Sequence, residues 1–169
     1  MTIAAAPAQQ RLSVGIGQLA VTKDAGTVLI AYGLGSCVGV TAWDAANRVA
    51  GMVHVLLPAS DRPGPDAKEP ARYADHAVEA LIAKLTQAGA SRAQLRVKVA
   101  GGASVLGAAN AQKFKIGERN AEAIKEQLRK HGLRLFAEDL GGERGRTMEL
   151  FAADGRTTIR TAASPAREL

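Results

Sequence analysis

Between residues 33 and 57 the chain runs through two apolar stretches, Gly33-Leu34-Gly35-Ser36-Cys37-Val38-Gly39-Val40 and Gly51-Met52-Val53-His54-Val55-Leu56-Leu57. Residues 38–43 and 48–57 read as strands, with Asp44-Ala45-Ala46-Asn47 as the turn between them. The first stretch carries the only cysteine of the chain behind two glycines, and the second has a histidine at its centre. In an antiparallel hairpin with an even loop, opposed residues share a constant index sum. Cys37 and His54 share theirs with Asp44 and Asn47. The spacing therefore predicts Cys37 directly opposite His54 on one face, with Cβ atoms about 4.5–5.5 Å apart. An odd loop would slip the register and spoil the pairing. A thiol and an imidazole so placed can share a proton, which turns a cysteine into a nucleophile near neutral pH.

The rest of the composition narrows what can surround this pair. At 169 residues the chain suits a single domain with a real core. Its residues are 47 % hydrophobic but only 4 % aromatic, so that core is built from Ala, Val, Leu and Ile. One cysteine excludes an internal disulfide framework and a cysteine-based zinc site, and suits a reducing compartment. With no leader pattern and no apolar run long enough for a membrane span, a soluble, cytoplasmic protein is expected. The net charge of +6 favours acidic partners, although it also serves solubility.

Along the chain, residues 1–12 read as a flexible N-terminal segment, 13–161 as one domain and 162–169 as a flexible C-terminal tail. Val14 to Val21 and Thr27 to Tyr32 read as strands ahead of the hairpin. Pro58 to Arg72 holds four of the six prolines and is expected to be a long surface loop leaving directly from the His54 strand. Tyr73 to Ala88 has helical spacing in Ala77, Val78, Leu81, Ile82 and Leu85, and Gly89 stops it. Leu95 to Ala100 alternates as a strand, residues 103–115 are ambiguous, and Gly117 to Lys130 forms a second helix on Ala121, Ile124 and Leu128. Leu133 to Ala137, Thr147 to Phe151 and Thr157 to Arg160 close the set as strands. Many strands, two helices and no strict alternation predict an α+β fold.

Other chemistry finds less support. His54 could equally be a core imidazole bonded to a backbone carbonyl, and Cys37 a small core residue. The Gly33-x-Gly35 lead-in lets backbone N–H groups converge on a developing oxyanion, with Gly35 and Ser36 the candidates. His76 and His131 have no partner pattern, so no metal site is expected. Val38 stands where a dinucleotide loop needs its third glycine, and a strand follows instead of a helix. Gly101-Gly102 and Gly141-Gly142 read as turns.

The chain resembles the CheD family of chemoreceptor glutamine deamidases from about Val14 to Arg160. The landmarks are Gly33-Leu34-Gly35-Ser36-Cys37-Val38, Met52-Val53-His54-Val55-Leu56-Leu57-Pro58, Arg72-Tyr73-Ala74-Asp75, Val99-Ala100-Gly101-Gly102-Ala103, Ile116-Gly117-Glu118-Arg119-Asn120, and Ala137-Glu138-Asp139-Leu140-Gly141-Gly142 with Gly145-Arg146 behind it. The resemblance implies a β-sandwich-like core of mixed strands with helices packed on the outside, as in the catalytic domain of the cytotoxic necrotising toxins. It implies Cys37 as nucleophile and His54 as general base and acid, without a cofactor. The implied partners are the cytoplasmic helices of methyl-accepting chemotaxis receptors, and in some members a CheC-like CheY-phosphate phosphatase. Neither nucleic-acid binding nor membrane insertion is implied. The family's third catalytic position, commonly a threonine, falls on Ala31, so an orienting hydroxyl is absent there and Thr27, Ser36 or a backbone carbonyl is left to hold the imidazole. That departure keeps open a non-catalytic adaptor, binding receptors or the phosphatase, as the alternative.

Overall fold

The computed structural model describes residues 8–105 and 111–169. In chain order these hold β1 (Gln10–Ser13), β2 (Leu19–Thr22), β3 (Thr27–Leu34), β4 (Val38–Asp44), β5 (Val49–Val55), α1 (Ala74–Gln87), a 3-10 turn (Arg92–Gln94), β6 (Arg96–Gly101), α2 (Ala111–Lys130), β7 (Leu135–Leu140), β8 (Arg146–Phe151), β9 (Thr157–Thr161) and β10 (Ser164–Glu168). The strands form two five-stranded sheets, one in the order β1-β3-β8-β9-β10 and the other β2-β5-β4-β6-β7. Two strand pairs, β1 with β3 and β6 with β7, are parallel and the rest antiparallel. The α+β expectation holds. No described helix is long and apolar enough to cross a membrane.

Three layers result. Both helices lie against the second sheet, where Val38, Val40, Val53 and Val55 meet Val78, Leu81, Leu85, Ile124 and Leu128. The other face of that sheet packs on the first sheet through Leu29, Ala31, Leu34, Cys37, Met52, Ala100, Met148 and Leu150. Strands β4 and β5 sit in the middle layer and are almost wholly buried. A strand covered on both faces reads as a continuous apolar run, which is why these two stretches stand out in the sequence. Helix α1 places Asp75 in its first turn, favourable to the helix dipole, and ends where Gly89 turns to φ +102°.

Several expectations change. The stretch from Val14 to Val21 is not one strand. It leaves β1 in the first sheet, turns at Gly15–Gly17, and re-enters as β2 in the second. Residues 10–12, expected to be loose, belong to β1, which pairs along β3 from Gln10 opposite Thr27 to Ser13 opposite Ile30; residues 1–7 lie outside the described residues. The expected tail is also ordered. β10 pairs antiparallel with β9 as an edge strand, with Pro165 at its register break, and the Leu169 N–H donates to the Thr157 carbonyl at 2.8 Å. Backbone ladder bonds hold these polar segments, and such bonds leave no apolar period to read. Helix α2 begins at Ala111 and takes in part of the ambiguous stretch, of which 106–110 lie outside the described residues.

The hairpin register also differs. Asp44 pairs with Val49, not Asn47, and the four-residue loop Ala45–Arg48 has Arg48 at φ +53°. The Asp44 carboxylate accepts from the Asn47 N–H at 3.1 Å, the Asn47 side-chain amide at 2.8 Å and the Ser91 N–H at 2.7 Å. These bonds hold its pKa below the usual carboxylate value, against the effect of burial. They place Asp44 at the last strand position, before the turn rather than within it.

Candidate active site

The corrected register moves His54 opposite Gly39 instead of Cys37. The slip is two residues, so the side-chain faces are unchanged. Cys37 and His54 remain on the face turned toward the first sheet, now diagonally related, and the residue directly across from His54 contributes no side chain. Both are buried, with Cys37 at 7 % and His54 at 2 % exposure. Burial raises the Cys37 pKa, which contact with its own backbone N–H partly offsets. Burial lowers the His54 pKa, with the hydrogen bond to Val14 working the other way. Both shifts favour the neutral thiol and the neutral imidazole, and no hydrogen bond joins Cys37 to His54.

The crossing between the sheets fixes that imidazole. Val14 donates its N–H to Ile30 of β3 at 2.7 Å, and its carbonyl lies 3.0 Å from His54 Nδ1. A carbonyl can only accept, so Nδ1 carries the proton and Nε2 holds a free lone pair. Nε2 is buried and has no hydrogen-bond partner. The His54 backbone is held by the same segment, through Gly17 N–H to the His54 carbonyl at 2.8 Å and His54 N–H to the Gln18 carbonyl at 3.1 Å. Ala31 is fully buried between the sheets, and a backbone carbonyl supplies the orienting acceptor that a side-chain hydroxyl would provide.

The cysteine loop is held just as closely. The Gly35 N–H is spent on the Gly33 carbonyl at 2.8 Å, and the Gly35 carbonyl accepts from Ala103 at 2.7 Å. Gly35 therefore supports the loop, while Ser36 and Cys37 donate their N–H groups to no backbone carbonyl among the described residues. The Cys37 carbonyl accepts from the Gly102 N–H at 2.9 Å. Gly101-Gly102 do more than turn the chain. Gly101 has φ +117°, and a Cβ there would fall 2.1 Å from the Cys37 carbonyl oxygen, so only glycine fits this approach.

The six sequence landmarks converge on this point. Leu56 and Leu57, just past His54, donate to the Arg72 carbonyl at 3.0 Å each. Gly141 donates to the Gly101 carbonyl, and Ser104 to the Gly142 carbonyl. The buried Arg146 holds that last loop through Asp139, Gly141 and Arg144. Asn120 of α2 is fully buried and donates to the carbonyls of Ser36 and Leu56 at 2.9 Å each. Sequence reasoning allowed a backbone carbonyl on the imidazole without naming Val14, and gave Asn120 no role of its own. Asn120 did carry a signal: it precedes Ile124 and Leu128 by four and eight residues, a polar side chain on the buried stripe of its helix.

Residues 56–161 match the family model described as CheD chemotactic sensory transduction. A probable chemoreceptor glutamine deamidase CheD from Symbiobacterium thermophilum is 45 % identical over 93 % of this chain and 96 % of its own length. The chain belongs to the CheD family. A second member, from the archaeon Archaeoglobus fulgidus, is 44 % identical over 87 % of this chain and 90 % of its own. A third, the chemoreceptor glutamine deamidase CheD of Halalkalibacterium halodurans, is 41 % identical over 94 % of this chain and 98 % of its own. The family match begins at Leu56 and takes in Gly101-Gly102 and Asn120. Cys37 and His54 precede it, within the span aligned with the Symbiobacterium relative.

Proposed function

We propose that this chain is a protein-glutamine deamidase that converts selected glutamines of methyl-accepting chemotaxis receptors to glutamate, with Cys37 as nucleophile and His54 as general base and acid. The observation that carries the reading is the His54 ring: Nδ1 is tied to Val14 and Nε2 is buried without a partner, on the face it shares with Cys37. Kinship with members named as chemoreceptor glutamine deamidases supplies the substrate class.

In this mechanism His54 Nε2 takes the Cys37 proton as sulfur attacks the glutamine side-chain carbonyl carbon. The carbonyl π electrons move to oxygen, and the N–H groups of Ser36 and Cys37 hold the resulting oxyanion, with Gly35 bracing the loop. The imidazolium returns its proton to the amide nitrogen, the C–N bond breaks, and ammonia leaves a thioester. Neutral His54 then deprotonates a water that attacks the thioester, releasing glutamate and the Cys37 thiol. No cofactor takes part.

The setting follows from the substrate: a cytoplasmic enzyme working on the receptors' cytoplasmic helices, with a CheC-like phosphatase as a further partner. The positive charge of the chain steers it toward glutamate-rich receptor helices, an attraction that weakens as salt rises. The adaptor alternative rested on the hydroxyl missing at Ala31, and the Val14 carbonyl removes the need for one. The test is mass spectrometry of a purified receptor cytoplasmic fragment after incubation with wild type or Cys37→Ala. Glutamine-to-glutamate conversion with wild type alone is expected. Binding without conversion by either protein would establish the adaptor.

A further inference from the structure

Asn120 lies at the middle of α2, yet its contacts are with two segments at the site. Its side-chain nitrogen donates one hydrogen to the carbonyl of Ser36, the residue before Cys37, and the other to the carbonyl of Leu56, two residues after His54. Both donors of the amide are thereby used, and the two acceptors fix which end of the group is nitrogen. The oxygen Oδ1 is buried with no partner. An unsatisfied buried acceptor is costly, and on a helix face whose neighbours Ala121, Ile124 and Leu128 are apolar a leucine would avoid the cost. The helix is brought within reach by a close backbone approach one turn earlier, where a Cβ on Gly117 would stand 2.6 Å from the Ala103 carbonyl oxygen and 2.7 Å from that of Gly102.

We infer that Asn120 is a positioning residue for the Cys37–His54 pair, a single amide that bolts the nucleophile's loop to the end of the base's strand. The two chain segments leave the hairpin there, Cys37 before β4 begins and Leu56 after β5 ends. Beyond the ladder their separation is no longer set by strand pairing, and the amide sets it instead. The Ser36 carbonyl belongs to the peptide whose N–H is that of Cys37. Holding the carbonyl therefore also aims one of the proposed oxyanion donors.

The inference rests on the reading of Cys37 and His54 as the reacting pair, and the experiment separates the two. The rate of Cys37 alkylation by iodoacetamide is measured against pH for wild type, His54→Ala, Asn120→Ala and Ile124→Ala, alongside kcat and KM on a receptor fragment. Ile124 is fully buried on the same stripe and packs in the cluster between the helices and the valine face of the second sheet, opposite the face of Cys37 and His54, so its truncation reports lost packing alone. For Asn120→Ala the expected result is a fall of about 30- to 100-fold in kcat and in alkylation rate at neutral pH, with KM nearly unchanged, as a misplacement on the order of 1 Å produces. Ile124→Ala should stay within about threefold of wild type in both, although it melts earlier. If His54→Ala leaves alkylation unchanged, the reacting pair itself is wrong and the inference falls with it. If His54→Ala slows alkylation and Asn120→Ala matches Ile124→Ala, the pair stands and the positioning role is overturned. A wild-type measurement covers the case in which Asn120→Ala does not fold: the two Asn120 side-chain N–H resonances should exchange slowly and shift when Cys37 is alkylated. Fast exchange with no shift would overturn the role equally.

Discussion

The two faces of the β4–β5 hairpin are made from the same strands and do opposite work. Toward the helices stand Val38, Val40, Val53 and Val55, all fully buried and all apolar, pressed on Val78, Leu81 and Leu85. Toward the other sheet stand Cys37, Gly39, Met52 and His54, where a glycine and two titratable groups break the packing pattern. The period-2 alternation of a strand lets one sequence assign packing against the helices to its odd positions in β5 and the proposed chemistry to its even ones. On this second face His54 Nδ1 is bonded to the Val14 carbonyl of the crossing segment and Thr41 to the Lys98 carbonyl of β6, while His54 Nε2 is left without a partner.

Substitutions on the two faces should therefore separate. Cys37→Ala should abolish glutamine conversion, seen as no ammonia release above the uncatalysed rate, while the thermal midpoint stays near that of wild type. His54→Ala should lower kcat by about 10²- to 10⁴-fold, the range for loss of a general base, in single-turnover assays on a receptor fragment. Equal activity in either variant would erase the distinction between faces. Val53→Ala, one residue away on the opposite face, should cost about 2 kcal/mol in urea unfolding yet keep kcat within a few-fold per folded molecule. Two glycines sharpen the contrast further. A Cβ at Gly51 would lie 2.9 Å from Leu81 and Leu85 side-chain atoms, whereas one at Gly39 would lie 3.0 Å from Leu34 and Met148 and directly across from His54. Both alanine variants should lose about 1–3 kcal/mol of stability, and only Gly39→Ala should also lose activity, read as kcat at a temperature where both are folded.

The smallest effect is on pH dependence. The folded-state pKa of His54 is lowered by burial, so between that value and about 6.5 the unfolded chain binds the extra proton and the native state does not. Its contribution to stability is full above about pH 6.5 and is lost as the pH falls through that value toward the folded-state pKa. The urea midpoint of wild type should drop across this window more than that of His54→Gln. The acid limb of kcat/KM should likewise sit below about 6.5, since catalysis needs the neutral ring. A limb at or above the ordinary histidine value would mean that the ring is not as buried as described.

Strands β4 and β5, α1 and the shared face of Cys37 and His54 were legible because each leaves a periodic or compositional trace. The direct opposition of the pair was not, because it depended on which residue closes the turn. Asp44 takes three hydrogen bonds with its side chain, one of them from Ser91 far along the chain, and no local rule reports that partner. The single strand expected from Val14 to Val21 failed for a related reason. Gly15 and Gly17 bracket a change of sheet, and the event that matters there is a backbone carbonyl meeting a ring 40 residues away. Edge strands β1 and β10 left no trace, being exposed along their length and without an alternating apolar face. Ala31 left Thr27, Ser36 or a backbone carbonyl as candidates to hold the ring, and the bond to Nδ1 comes from the Val14 carbonyl.

The segment between His54 and α1 carries a different consequence. Its two ends are pinned together at the base, with Leu57 bridged to Tyr73, the Ala74 N–H on the Leu57 carbonyl, and the Leu56 and Leu57 N–H groups on Arg72. Residues 61–68 are exposed outside that clasp, while Ala71 is fully buried and its N–H donates to the Gly17 carbonyl at 3.0 Å. Each doubling of such a loop costs only about 0.6 kcal/mol in closure entropy, so its length and composition can change while the reacting pair stays in place. This is where an evolving lineage, or a protein engineer, can graft recognition of a new target onto an unaltered catalyst.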